Sequence, residues 1–150
     1  MSNEKIYPVQ RDQAERCLID KKTYNEMYKS SIDNPSGFWS EQANNFLDWL
    51  VKWDKVTAFD FKTGSAKWFA NGKLNVSVNC IDRHLAAEAK KTAIIWEPND
   101  PNESAIHLSY QELYEKTCKF SNALKKRGVK KGDRIIIYMP MVPEAAIAML

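Results

Sequence analysis

The sequence is poor in the residues that phosphate and metal sites need. Its five glycines, Gly37, Gly64, Gly72, Gly128 and Gly132, are scattered over 150 residues. Neither G-x-G-x-x-G nor G-x-x-x-x-G-K-[ST] occurs, so no glycine-rich loop offers its backbone amides to a phosphate. There are two histidines, His84 and His107, and three cysteines, Cys17, Cys80 and Cys118. An odd number of widely spaced cysteines suits reduced thiols better than a disulfide framework, and the cytoplasm is the compartment to expect. No apolar run approaches the roughly 18 residues of a membrane span. The longest candidate, 135–150, is broken by Pro140 and Pro143. The N-terminal MSNEKIYPVQRDQAER is polar and has no apolar leader core. Charge of one sign is lacking too: 22 basic against 19 acidic residues leave +3, a balance too mild to argue for nucleic acid. No Ser/His/Asp set or pair of carboxylates stands out. The pattern therefore assigns no catalytic, cofactor-binding or metal-ligating residue.

What is present is a globular composition, 44% hydrophobic, 11% aromatic and 27% charged, too apolar for a disordered chain. The length allows one domain, or a small unit and part of another. Two regions differ in texture. The first, residues 1–74, holds four of the five tryptophans: Trp39, Trp49, Trp53 and Trp68. Lys21 to Ser31 reads as a short helix with Asp20 as N-cap. Asn34-Pro35-Ser36-Gly37 reads as a turn. Trp39, Ala43, Phe46 and Leu50 then recur at helical spacing, so an amphipathic helix is expected over Phe38 to Val51. Val56 to Phe61 reads as a strand, and Asn71-Gly72 has the residues of a type I′ hairpin turn.

The second region, residues 75–150, is more regular. Asn75 to Lys90 reads as a helix with Val78, Ile81 and Leu85 inward. Ala93 to Glu97 and Ala105 to Leu108 read as strands around the loop Pro98 to Asn102. Ser109-Tyr110-Gln111-Glu112 is a capping box. The helix it opens should bury Leu113, Thr117, Phe120 and Leu124, carry Glu112/Lys116 and Glu115/Lys119 pairs outside, and close at Gly128. The apolar run Arg134 to Met139 reads as a strand buried on both faces. Strand, helix, buried strand is the opening of a parallel α/β sheet, which needs more strands than these residues provide. Pro143 suits the first position of a further helix and Glu144 its first turn. That helix carries on apolar to Leu150 without a C-cap, so the sequence reads as breaking off inside it.

Three features invite chemical readings. Cys80 and His84 stand one helical turn apart, with Asp82 and Arg83 between them. A nucleophilic pair or half a zinc site is the sharp reading, but no other His or Cys lies at ligand spacing. The plainer reading has Asp82, Arg83 and His84 capping and bracing a helix. The basic stretch Lys125 to Lys131 has no interleaved aromatics and falls at a helix C-terminus, where cations meet the negative end of the dipole. The tryptophans either line a ligand groove or, as such residues more often do, pack a small core.

Three longer stretches carry a resemblance. Trp68-Phe69-Ala70-Asn71-Gly72-Lys73-Leu74-Asn75-Val76-Ser77-Val78-Asn79-Cys80-Ile81-Asp82-Arg83-His84-Leu85 resembles a signature of acetyl-CoA synthetases. Leu108-Ser109-Tyr110-Gln111-Glu112-Leu113 resembles the first shared motif of adenylate-forming enzymes, and Tyr138-Met139-Pro140-Met141-Val142-Pro143-Glu144-Ala145 onward is the third stretch. The match covers nearly the whole chain, more loosely before Phe59. Ala70-Asn71-Gly72 departs from the Gly-Gly pair common there, and Asn tolerates positive φ nearly as well. The resemblance implies a mixed α/β fold: an N-terminal helical extension over 1–74, then the first strand-helix-strand elements of a large AMP-binding domain over 75–150, truncated. It implies an intact enzyme that uses ATP and Mg²⁺ to turn acetate into acetyl-adenylate and pyrophosphate, and CoA to release acetyl-CoA and AMP. The substrates acetate, ATP and CoA and the remainder of the same polypeptide are its partners; no nucleic acid and no membrane are. The family's phosphate loop, ribose-binding Asp and mobile-domain lysine fall outside the matching stretches, so no functional residue carries over and none of these ligands is expected to bind these residues alone. A propionyl- or acetoacetyl-CoA synthetase is the nearest competitor, and a stand-alone binding module the rival of another class.

Overall fold

The computed structural model describes residues 7–150. The first six residues of the polar N-terminal stretch, on which the reading of a missing leader partly rests, lie outside the described residues. The chain forms two units, Met1–Gly72 and Lys73–Leu150.

In the first unit, α1 (Arg11–Arg16), α2 (Lys21–Asp33) and α3 (Pro35–Phe46) precede an antiparallel hairpin of β1 (Lys55–Asp60) and β2 (Ser65–Ala70). Asp20 caps α2 as its sequence position suggests, its carboxylate accepting the Thr23 amide at 2.7 Å. The Thr23 amide and hydroxyl hold that carboxyl below its ordinary range. The Asn34-Pro35-Ser36-Gly37 stretch is not a turn. Asn34 donates its amide to the Ser30 carbonyl at 2.9 Å, closing α2, and accepts the Gly37 amide at 3.1 Å, opening α3. Pro35 takes the first helical position, where no amide is missed. One residue thus caps two helices, and α3 begins three residues before Phe38.

Helix α3 also ends early, at Phe46 rather than Val51. The Trp49 indole N–H folds back to the Ala43 carbonyl at 3.0 Å, and Lys52 reaches the Asn44 side chain at 2.6 Å. A last-turn carbonyl has no intrahelical partner, and the indole satisfies one. Trp49 then packs on Trp53 and Phe69, with the three ring centroids 4.8 to 5.4 Å apart. Trp39, Trp68 and Phe59 continue the edge-to-face chain. Aromatic pairs at these distances add about 0.5–1.5 kcal/mol each beyond area burial.

The hairpin turns at 61–64, not at Asn71-Gly72. Asp60 organises it by accepting the Lys62 amide at 3.0 Å and the Thr63 hydroxyl at 2.9 Å, and Gly64 supplies the positive φ of 66°. Asn71 does adopt φ 64°, but its amide bonds the Asp54 carboxylate at 2.6 Å and Gly72 is not left-handed. The signal at Gly72 is one of space. A Cβ there would lie 2.7 Å from Trp49 Cζ3 and 2.9 Å from the Phe69 carbonyl oxygen. We expect Gly72→Ala to destabilise this unit by about 1–3 kcal/mol through overpacking, read from urea unfolding followed by tryptophan fluorescence; unchanged stability would refute the packing assigned to Trp49.

The second unit opens with a helical stretch whose middle, Val78–Asp82, is wound as a π-helix before α4 (Arg83–Glu88). Asn75 caps it by accepting the Val78 amide at 3.2 Å. A π-turn takes more residues per revolution than an α-turn, so side chains three apart no longer share a face. Ile81 is accordingly fully buried while Val78 turns outward and Leu85 is half-buried. The hairpin β3 (Thr92–Trp96) and β4 (Ile106–Ser109) follows, with Ile94 opposite Leu108 and Trp96 opposite Ile106. Then come α5 (Tyr110–Lys126) and α6 (Pro143–Met149). Ile81, Leu108, Leu113 and Ile147 form the core, with Ala93, Ile94, Tyr114, Phe120 and Leu150 packed around it.

Helix α5 starts and stops where its sequence says. The Glu112 amide donates to the Ser109 hydroxyl at 3.2 Å, and the Glu112 carboxylate accepts the Ser109 amide at 2.8 Å. The Tyr110 and Gln111 amides donate to the Lys91 and Ala89 carbonyls, so the first turn's free donors are used. At the other end Gly128 (φ 85°) donates to the Lys125 carbonyl and Val129 to that of Leu124, a Schellman closure. The expected outer ion pairs give way to shorter-range partners: Glu112 turns back to Ser109, and Glu115 accepts from Gln111 at 2.9 Å.

The run Arg134 to Met139 is not a buried strand here. It lies in no sheet and exposes Ile136 and Tyr138 almost completely. The only sheets among the described residues are the two antiparallel hairpins. A strand buried on both faces needs neighbours on each edge and a layer on each side, and these residues supply neither.

Replacing Ser109 with Ala should cost about 1 kcal/mol of stability. The Ser109 donors hold the Glu112 carboxyl below its ordinary 4.5. A depressed folded-state pKa stabilises above the unfolded value and is lost as pH falls through the folded one. Thermal melts of the parent and Glu112→Gln should therefore differ at neutral pH and converge once pH falls well below 4.5; a constant gap would contradict the assignment.

Candidate functional site

The chemically richest concavity is a cleft of about 370 Å³ between the π-turn and one face of α5. Asn75, Ser77 and Asp82 form one wall; Tyr114, Cys118, Ser121 and Lys125 form the other. The latter recur at helical spacing, so the 3.6-residue period itself gathers them. A hydrogen bond with Cys118, and beyond it the Asp82 carboxylate, push the Tyr114 phenol above its ordinary range. The Thr117 hydroxyl on the same helix is buried without a partner.

Cys80 and His84 do not converge on a ligand. Cys80 is exposed with a free thiol, and the His84 ring packs on Tyr110 at 4.8 Å. Arg83 bonds the buried Asn79 side chain at 3.3 Å, and Asn79 donates to the Asn75 carbonyl at 2.9 Å. Asp82 makes no side-chain cap to α4, so the bracing runs through Arg83 and Asn79 instead. Asn79 is the residue that periodicity missed: a buried amide carries no apolar signature. Lys125 and Lys126 stand in the last turn of α5. The tryptophans of the first unit pack on each other and on Phe59 and Phe69. Ile19, Tyr24, Met27, Tyr28, Phe38 and Trp39 line a shallow apolar groove of about 240 Å³ beside them.

The cleft does not fit a magnesium-bound nucleotide. It offers one carboxylate, Asp82, and one ammonium, Lys125, where a triphosphate needs several donors and cations aimed at its oxygens. Among the described residues, no three His, Cys, Asp or Glu side chains gather where a metal ion could be held. No helix among them is long and apolar enough to cross a membrane.

Two family models match adjoining parts of the chain: the acetyl-coenzyme A synthetase N-terminus over residues 24–80 and the AMP-binding enzyme family over 81–150. The chain is 56% identical over 150 residues to the acetyl-coenzyme A synthetase of Alkalilimnicola ehrlichii and 55% to that of Magnetococcus marinus, in both cases along all of this chain. Its sequence matches the N-terminal portion of those acetyl-CoA synthetases. It spans 23% of the length of those relatives. Among solved structures, acetoacetyl-CoA synthetase from Streptomyces lividans has a similar fold, with a TM-score of 0.70 at 22% identity over 84% of this chain and 19% of that one. The mixed helix-and-sheet fold is thus that of the opening part of an adenylate-forming enzyme.

The orphan hydroxyl carries its own test. Thr117→Val removes a buried, unbonded polar atom, and such a change is neutral to stabilising by about 1 kcal/mol. A loss of more than that in thermal unfolding would mean that Thr117 has a partner in solution.

Proposed function

We propose that this chain is the N-terminal part of an AMP-forming acetate–CoA ligase and contributes scaffold rather than chemistry to it. The observation that carries the reading is identity above 50% along all 150 residues with enzymes of that name. The intact protein would join acetate and ATP to acetyl-adenylate and pyrophosphate, with Mg²⁺ screening the triphosphate. CoA thiol would then displace AMP and give acetyl-CoA. Acetate, rather than propionate or acetoacetate, follows the names of those relatives. Free thiols and the absence of long apolar helices among the described residues accord with a cytoplasmic enzyme. Nucleic acid and membrane have no part in the reading.

On this reading residues 1–74 are the extension and 75–150 the beginning of the adenylation domain. The contribution of these residues is mechanical. The capping box and the Schellman closure fix both ends of α5, and α5 presents Leu113 and Thr117 to the core. The nucleotide, acetate and CoA would be held by residues outside this chain, and neither catalysis nor ligand binding is assigned to any side chain in it.

The experiment is acetate-dependent ATP–pyrophosphate exchange. The 150-residue chain should give none, and the polypeptide continuing past Leu150 should give exchange with acetate in preference to propionate or acetoacetate. Exchange by the 150 residues alone would sink the scaffold reading. Failure of the longer polypeptide with every short acid would sink the ligase reading and favour a binding module.

A further inference from the structure

Asn71-Gly72 is the only Asn-Gly pair in the sequence. Asparagine is thermolabile because the backbone nitrogen of the residue that follows can attack its side-chain amide carbon. A glycine in that next position lacks the Cβ that would crowd the attack. Gly72 is fixed as glycine by Trp49, whose Cζ3 lies 2.7 Å from where a Cβ would stand. The packing of the aromatic cluster thus keeps the least hindered neighbour beside Asn71, and Asn71 itself is exposed to water.

Two hydrogen bonds restrain the pair. The Asn71 side-chain amide donates to the Asp54 carboxylate at 2.6 Å, which fixes the carbon that would be attacked. The Gly72 backbone amide donates to the Phe69 carbonyl at 2.9 Å, which engages the proton that the attacking nitrogen must lose. Asp54 is itself anchored: its backbone amide donates to the Ala70 carbonyl at 3.0 Å, one step beyond the Lys55–Ala70 pair of the hairpin. Asp54 and Asn71 therefore face each other across the open end of β1 and β2.

We infer that Asn71 is a site of spontaneous deamidation, held back by its bond to Asp54 and by the bond from Gly72 to Phe69, and that its conversion loosens the hairpin end on which the Trp49 cluster packs. The reaction needs only water. The Gly72 nitrogen gives its proton to solvent base, and its electron pair forms a bond to Asn71 Cγ. The Cγ–Nδ2 bond breaks and ammonia leaves, closing a cyclic imide. Water then opens the ring, giving aspartate by addition at the side-chain carbonyl and isoaspartate by addition at the main-chain carbonyl; nothing is oxidised or reduced. Either product replaces a donor with a carboxylate facing that of Asp54, and like charges directly opposite on paired strands are destabilising. Isoaspartate also lengthens the backbone at a residue with φ 64°, which moves Gly72 away from Trp49.

The test is peptide mapping by mass spectrometry of the 150-residue chain aged in mildly alkaline buffer, folded and in guanidinium chloride. In the unfolded chain Asn71 should convert ahead of every other asparagine. In the folded chain its conversion should be at least about tenfold slower, because the reaction there waits on local opening. Asp54→Asn keeps the shape and removes the charge that strengthens the bond, so it should speed the folded-state conversion. A second readout is independent of these rates. Asn71→Asp should lower the urea midpoint followed by tryptophan fluorescence, and adding Asp54→Asn should restore most of the loss by exchanging the two groups. Absence of conversion at Asn71 in the unfolded chain overturns the site. Equal rates in the folded and unfolded chains, or an unchanged rate in Asp54→Asn, overturn the restraint. A double variant no more stable than Asn71→Asp overturns the effect on the hairpin end.

Discussion

The second unit depends on the burial of one side chain. Ile81 is fully enclosed by Leu108, Leu113 and Ile147, which brings together the π-turn, the hairpin, α5 and α6. Fully burying such a side chain is worth about 1.5–3 kcal/mol in transfer free energy. The contact does more than that energy suggests, because the four residues come from four elements. The π-turn is what delivers Ile81. Straight α-winding would have set Val78, Ile81 and Leu85 on one stripe; the wider turn commits the enclosed position to Ile81 and leaves Val78 outside. It also sets Asn79 inward, where its amide is used twice. The sharp tertiary geometry of the unit therefore begins with a local winding defect that its own polar residues stabilise.

The first unit is held differently. Among its described residues Ala43 alone is a buried hydrophobic, and its order comes from interlocking aromatic rings. Trp49 ends α3, fills the space that Gly72 leaves, and packs edge-on or tilted against Trp53 and Phe69. Phe69 sits at φ 48°, a conformation that costs a bulky residue about 1–3 kcal/mol and persists because three rings over-determine it.

How much of this was legible depended on whether the signal was local. Asp20 and the capping box act on amides a few residues away, Gly128 and Pro143 through their own backbone conformation, and all four helix boundaries are readable from them. Asn34-Pro35 carried a local signal as well, but the pair is ambiguous: an Asn before a proline opens either a turn or a helix, and only the Gly37 amide decides. Asn71-Gly72 failed because the glycine answers a clash with Trp49, 23 positions away. The π-winding has no hydrophobic period to reveal it. Residues 134–139 read as a buried strand and form none here, because pairing is a property of neighbours and none is present among the described residues. The candidate site follows the same logic. Residue patterns pointed to missing phosphate and metal motifs, whereas the cleft between the π-turn and α5 could not be foreseen, since half of its wall exists only through that winding.

On the proposed function this chain is a scaffold built around the capped helix α5, and the chemistry belongs to residues outside it. The most direct measurement is an NMR titration of the 150-residue chain with Mg²⁺-ATP and, separately, with CoA, following the backbone amides around Asp82, Tyr114, Ser121 and Lys125. The account predicts no saturable shift with either ligand. A saturable shift that maps to that cleft, and that Lys125→Ala removes, would contradict it.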